Sequence, residues 1–157
     1  MSYNNFKKAM KLAREIEYYN NAGKQSKELL NKVEKAYGLK LSPQHYEYLY
    51  EYGYIMFFGT EFYGIYKDAF EGIYAGNAII ATLQDRQEFN LPKYWIPIYD
   101  YSDGEVAYLN YSLLNENGEP AIIIGLYNGE EYVMIEQIAE DLGDFFLQIV
   151  EEQINNQ

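Results

Sequence analysis

Three dipeptides set the tightest constraint on what this chain can fold into. Asp103-Gly104, Asn117-Gly118 and Asn128-Gly129 each separate two strand-like segments. Tight hairpin turns need residues that tolerate positive φ, and Asn, Asp and Gly do so at least cost. Three such turns in succession predict an antiparallel meander built from residues 94–99, 106–111, 121–126 and 132–135. Pro97 lies inside the first of these segments. It has no N–H for a ladder, so that strand belongs at an edge or carries a bulge.

Helical spacing brackets the meander. Phe6, Ala9, Met10, Ala13, Ile16 and Tyr19 predict a helix over residues 3–20. Ser26 is placed to cap a second helix over 27–37, with Leu29, Leu30, Val33 and Tyr37 inward and Gly38 as its stop. Ser42 and Pro43 open a third, with Tyr46, Leu49 and Tyr50 on one face and Gly53 at its end. Residues 54–58 and 61–66 read as strands, and 76–89 as a helix with Ala78, Ile79, Leu83 and Phe89 inward. A closing helix is expected over 137–153, with Ile138, Leu142, Phe145, Phe146, Ile149 and Val150 on its apolar face. The order predicts an α+β fold: an antiparallel meander sheet with N-terminal helices and a C-terminal helix packed on one face. At 157 residues the chain reads as a single domain over 1–157, with an N-terminal helix in 1–25 and a core in 26–157.

There is no cysteine, so disulfides and thiolate metal sites are excluded and a reducing compartment is expected. The N-terminus has no apolar stretch resembling a signal peptide, and the longest apolar runs are too short to span a bilayer. Both point to a cytoplasmic protein.

Charge divides the chain. The first 40 residues carry nine basic and four acidic side chains, while residues 94–157 contain 13 carboxylates and no lysine or arginine. With a net charge of −12, the field repels nucleic acid and anionic membrane and attracts a basic protein. Lys7, Lys8, Lys11 and Arg14 supply a short basic stripe, which solubility and ion pairing explain without a nucleic acid. Nineteen tyrosines suit half-buried strands and amphipathic helices, and tyrosine is also enriched at binding hot spots.

Signals for catalysis are weak. The only histidine, His45, has no cysteine or second histidine to share a metal with, and reads as structural. Acid pairs such as Glu61 with Asp103, or Asp100 with Glu105, are what 24 acids produce by chance. No Walker loop, dinucleotide fingerprint or nucleophile elbow is present.

Four blocks resemble the SUKH superfamily, the fold shared by a yeast cell-wall-assembly regulator and many bacterial immunity proteins. The first runs from Val33 through Tyr37-Gly38-Leu39-Lys40-Leu41-Ser42-Pro43 to Tyr46, Leu49 and Tyr52-Gly53. Ser42 stands where the family has proline, with Pro43 one position later. The second is Glu61-Phe62-Tyr63-Gly64-Ile65, and the third spans Pro92 to Asn110 with Ile96-Pro97-Ile98 and Asp103-Gly104-Glu105. Asn110 replaces the more usual aspartate. The fourth is Pro120-Ala121-Ile122 followed by Ile138 to Phe146. Together they cover residues 28 to 151, and the first 25 lie outside the pattern.

The resemblance implies a toxin-neutralising immunity or antitoxin protein, with a cognate toxin, often a nuclease, as partner. It implies no catalysis and no cofactor. It supplies no contact residues, so these are chosen by charge and turn position: Asp100, Tyr101, Asp103, Glu105, Glu116, Glu130, Glu131 and Tyr132. A second surface around Tyr63, Tyr66, Asp68 and Glu71 competes with them. The rival function from another class is a regulatory scaffold module, and a small acid-pair hydrolase is a third reading.

Overall fold

Residues 2–67, 70 and 77–156 are described by a computed structural model of the chain. They form five helices and two antiparallel sheets in an α+β arrangement. The meander is present as four strands in sequence order: β4 (Trp95–Asp100), β5 (Glu105–Leu114), β6 (Pro120–Tyr127) and β7 (Tyr132–Ala139). Gly104, Gly118 and Gly129 all hold positive φ in the three connecting turns, as the hairpin reading requires. Pro97 satisfies both expectations at once: β4 is an edge strand, and its pairing with β5 shifts register between Pro97 and Tyr99.

Alternation divides this sheet between two clusters. Ile96, Ile98, Ala107, Leu109 and Ile122 point into the main core, while Trp95, Tyr108 and Ile123 pack with Leu91 on the other side. The main core is closed by α5 (Leu142–Asn155) and α1 (Ser2–Ala13), which pack on each other through Phe6 and Phe146 with ring centroids 6.1 Å apart. Phe62 meets the Phe146 ring edge-on at 4.7 Å. Full burial of a phenylalanine stabilises by roughly 1.5–3 kcal/mol, so this aromatic knot is a principal reason the N-terminal helix docks.

Local signals set most of the helix ends. The Ser26 hydroxyl accepts the Leu29 N–H at 3.1 Å to start α2 (Lys27–Tyr37), and Gly38 ends it at φ 73°. Ser42 and Pro43 start α3 (Pro43–Glu47), which runs on as a π-helical turn over Tyr48–Tyr52. Asn77 caps α4 (Ala78–Phe89).

Several expected boundaries give way to long-range pairing. The first helix stops at Ala13 instead of residue 20. Tyr18 takes φ 64°, and β1 (Asn20–Asn21) pairs with β2 (Ile55–Phe57), which in turn pairs with β3 (Thr60–Glu61). The strand expected over 61–66 ends at Glu61. Beyond it the Tyr63 N–H bonds to the Ile98 carbonyl at 2.8 Å and the Ile65 N–H to the Gly53 carbonyl at 2.8 Å. In α4, Thr82 takes the buried position instead of Leu83, and Phe89 lies over the Tyr127 ring at 5.0 Å. The closing helix begins at Leu142, not 137, because Ala139 still pairs with Ile122 and Asp141 caps the helix. Ile138 therefore belongs to β7, not to the face of α5.

Candidate partner-binding surface

Register places the chosen residues. Asp100 pairs opposite Val106, Glu105 opposite Leu126 and Tyr127 opposite Tyr132. The turn after β4 and the turn after β6 therefore emerge at the same end of the sheet. Asp100, Tyr101, Asp103, Glu105, Glu130, Glu131 and Tyr132 come together there. Glu116 does not: it sits on the β5–β6 hairpin at the opposite end.

The acids at this end are held by their own turns. Asp100 Oδ1 accepts the Ser102 N–H at 2.8 Å, and Asp103 Oδ1 accepts the Glu105 N–H at 2.9 Å. Asn128 Oδ1 accepts the N–H groups of Glu130 and Glu131, each at 2.9 Å. Each turn is thus ordered by short polar side chains bonding to backbone two or three residues on. Glu130 and Glu131 remain exposed.

The two tyrosines frame the end from opposite sides. Tyr101 is half-buried against the main core, edge-on to Tyr99 at 4.8 Å. Burial pushes its hydroxyl up to about 12, helped by Tyr99, Glu152, Glu105 and Asp103. Tyr132 belongs to the other face, beside Trp95, Tyr108 and Tyr127. Burial followed by the charge of Asp85 pushes it up to about 12 as well. Both hydroxyls keep their protons at neutral pH and remain hydrogen-bond donors beside carboxylates that only accept.

The competing surface is contiguous with the first. Tyr63 and Glu61 join Tyr99, Asp100 and Ser102 around a groove of about 530 Å³. Burial, then the charges of Asp100, Asp85 and Glu61, raise the Tyr63 hydroxyl above its ordinary range. Asp68 and Glu71 lie outside the described residues. Asp85, half-buried in α4, went unnoticed in the sequence, where it is one acid among many on a helix. Burial and Glu88 raise its carboxyl.

The other candidates are structural. His45 is buried, with Nδ1 2.7 Å from the Tyr111 hydroxyl, and burial lowers its imidazole to about 3. Around it the first and fourth resemblance blocks meet. The Gln44 N–H donates to Glu119 Oε2 at 3.2 Å, Gln44 Nε2 donates to Asp141 Oδ2 at 3.4 Å, and Gln44 Oε1 accepts the Gly143 N–H at 2.8 Å. Burial raises the Glu119 carboxyl, while hydrogen bonds from Ser42 and Gln44 oppose that rise. Buried carboxylates persist only when satisfied in this way. Among the described residues no group of three or more His, Asp or Glu is placed to hold a metal ion, and no helix is long and apolar enough to cross a membrane.

A search of curated proteins finds no match. A SUKH family model, described as SMI1-KNR4 cell-wall, matches residues 27–146. That span runs from α2 into the first turns of α5 and contains both turns of the acidic sheet end as well as the Gln44 network. The family is generally non-catalytic, and the match is consistent with an immunity-type or SMI1/KNR4-like protein. On the strength of this match across most of its length, the chain belongs to the SUKH family.

Proposed function

We propose that this protein is an immunity or antitoxin protein that neutralises a basic bacterial toxin, a nuclease domain, in the cytoplasm by covering its cationic surface. The observation that carries the reading is the meeting of Asp100, Asp103, Glu105, Glu130 and Glu131 at one sheet end, with no lysine or arginine in either turn. Nuclease clefts present cations to phosphates, so an acidic surface competes for the same field. Such complementarity steers encounter, lifting association from about 10⁵–10⁶ M⁻¹s⁻¹ toward 10⁸ M⁻¹s⁻¹ or more at low salt. Affinity then comes from a few desolvated anchors, with Tyr101 and Tyr132 in that role. Binding needs no cofactor, direct contact with nucleic acid or membrane.

Co-purification with the protein encoded next door, followed by growth rescue, tests the reading. A stable complex and restored growth of toxin-expressing cells are expected. A neighbour with no toxin domain, or no rescue, would overturn it in favour of a regulatory scaffold module like the eukaryotic members.

A further inference from the structure

We propose that the groove at the other end of the sheet docks a short basic segment of a partner protein that carries an apolar side chain among its cations. The inference takes the partner's source from the function proposed above, while the recognition itself is tested without any toxin. A concave surface of about 1030 Å³ lies between the start of α1, the β5–β6 hairpin and the start of α5. A second one of about 440 Å³ continues it along α5, and the two share Asn5, Glu140 and Asp144.

The lining dictates the occupant. Glu116, Glu140, Asp144 and Glu151 contribute carboxylates along the run, and neither part is lined by a lysine or arginine. Asn5 Nδ2 donates to one oxygen of Asp144 at 2.7 Å, fixing that carboxylate in place. Carboxamides from Asn117 and Gln137 add both donors and acceptors suited to a peptide backbone, while Asn115, whose Oδ1 already accepts the N–H groups of Asn117 and Glu119, adds donors. The apolar requirement comes from Leu113 and Leu114, 43% and 56% exposed. They lie in the stretch where β5 and β6 shift register, between Asn110 and Leu114. Two adjacent exposed leucines beside carboxylates form the mixed surface that a basic, apolar-anchored segment covers.

A second copy of this chain fits less well. Its basic side chains concentrate on α1 and α2, whose apolar residues Phe6, Ala9, Met10 and Ala13 and Leu30, Val33 and Tyr37 are already buried in its own core. The exposed aromatic of α1, Tyr3, is already engaged, its hydroxyl donating to Glu47 at 2.9 Å and its ring stacked on Phe6.

The test uses a synthetic peptide alternating arginine and leucine, an analogue with serine for leucine, and an acidic analogue. Anisotropy and amide chemical shifts are followed on the full chain. Saturable binding at low salt is expected, with shifts at Leu113, Leu114, Gln137 and Asp144. The Glu116→Lys/Glu140→Lys variant should bind about tenfold more weakly or worse, and the charge-matched Glu15→Lys/Glu17→Lys variant, at exposed positions outside both acidic surfaces, should bind unchanged. The serine analogue should bind about tenfold more weakly. Absence of binding, shifts confined to the turns at 100–105 and 128–131, equal losses in both variants, or equal binding of the serine analogue would each overturn the proposal. Peptide docking as described together with failed growth rescue would remove the toxin reading and leave the groove standing. Rescue without peptide docking would do the reverse.

Discussion

His45 Nδ1 and the Tyr111 hydroxyl lie 2.7 Å apart, joining the first turn of α3 to the middle of β5. The same hydroxyl accepts the Ser42 N–H at 3.0 Å. Its own proton has two acceptors, Nδ1 and the Ser42 Oγ at 3.5 Å, and with either choice the neutral ring is hydrogen-bonded to Tyr111. A buried neutral histidine has a direct consequence for stability. Its folded value is depressed from the ordinary 6.5 to about 3. Between those values the unfolded chain takes up a proton that the folded chain refuses. Stability from this group is therefore fully present above pH 6.5 and is lost as pH falls below it. Between pH 7 and 5 the loss is about 2 kcal/mol. Glu119, raised by burial, works in the opposite sense, gaining on acidification. Urea denaturation of wild type and His45→Gln across pH 5 to 7 should show the steeper decline in wild type.

Gly125 lies beneath Trp95 and Tyr108. A Cβ there would stand 2.7 Å from Trp95 Cζ3 and 2.9 Å from Tyr108 Cε2, closer than packed carbon atoms tolerate. Gly125→Ala must displace one of the two rings, at a cost of about 1–3 kcal/mol. Trp95 is the only tryptophan, so its emission maximum should shift along with the denaturation midpoint.

Gln44 ties α3 to the start of α5 by donating to Asp141 and accepting from Gly143. Removing it leaves a buried acceptor and a buried N–H without this partner. Gln44→Ala should lose about 1–3 kcal/mol. Amide exchange at Gly143 should accelerate more than exchange in β5, which places the loss at the start of α5.

The meander was legible because its information is local: three turn dipeptides and one proline fix four strands and their order. The caps at Ser26 and Ser42 were legible for the same reason. Elements that depend on distant partners were not. Residues 14–19 keep helical spacing, yet Asn20 and Asn21 pair with Met56 and Ile55 across the chain. Ile138 satisfies both a strand and a helix period, and only the pairing of Ala139 with Ile122 decides between them. At the candidate surface, charge and turn position brought together seven residues that share one sheet end. The separation of Glu116 depends on which hairpins point the same way, a property of the sheet as a whole. The joining of Tyr63 to Asp100 needed the bond from Tyr63 to Ile98, which no periodicity encodes.

Exposed Glu130 and Glu131 allow the acidic surface to be inverted without touching the core. Stopped-flow association with the toxin domain encoded beside this protein, across ionic strength, tests the capture of a cationic partner most directly. The rate should fall steeply with added salt, and both Asp103→Lys/Glu105→Lys and Glu130→Lys/Glu131→Lys should associate at least about tenfold more slowly at low salt. Rates that are independent of salt and unchanged in both variants would contradict the account.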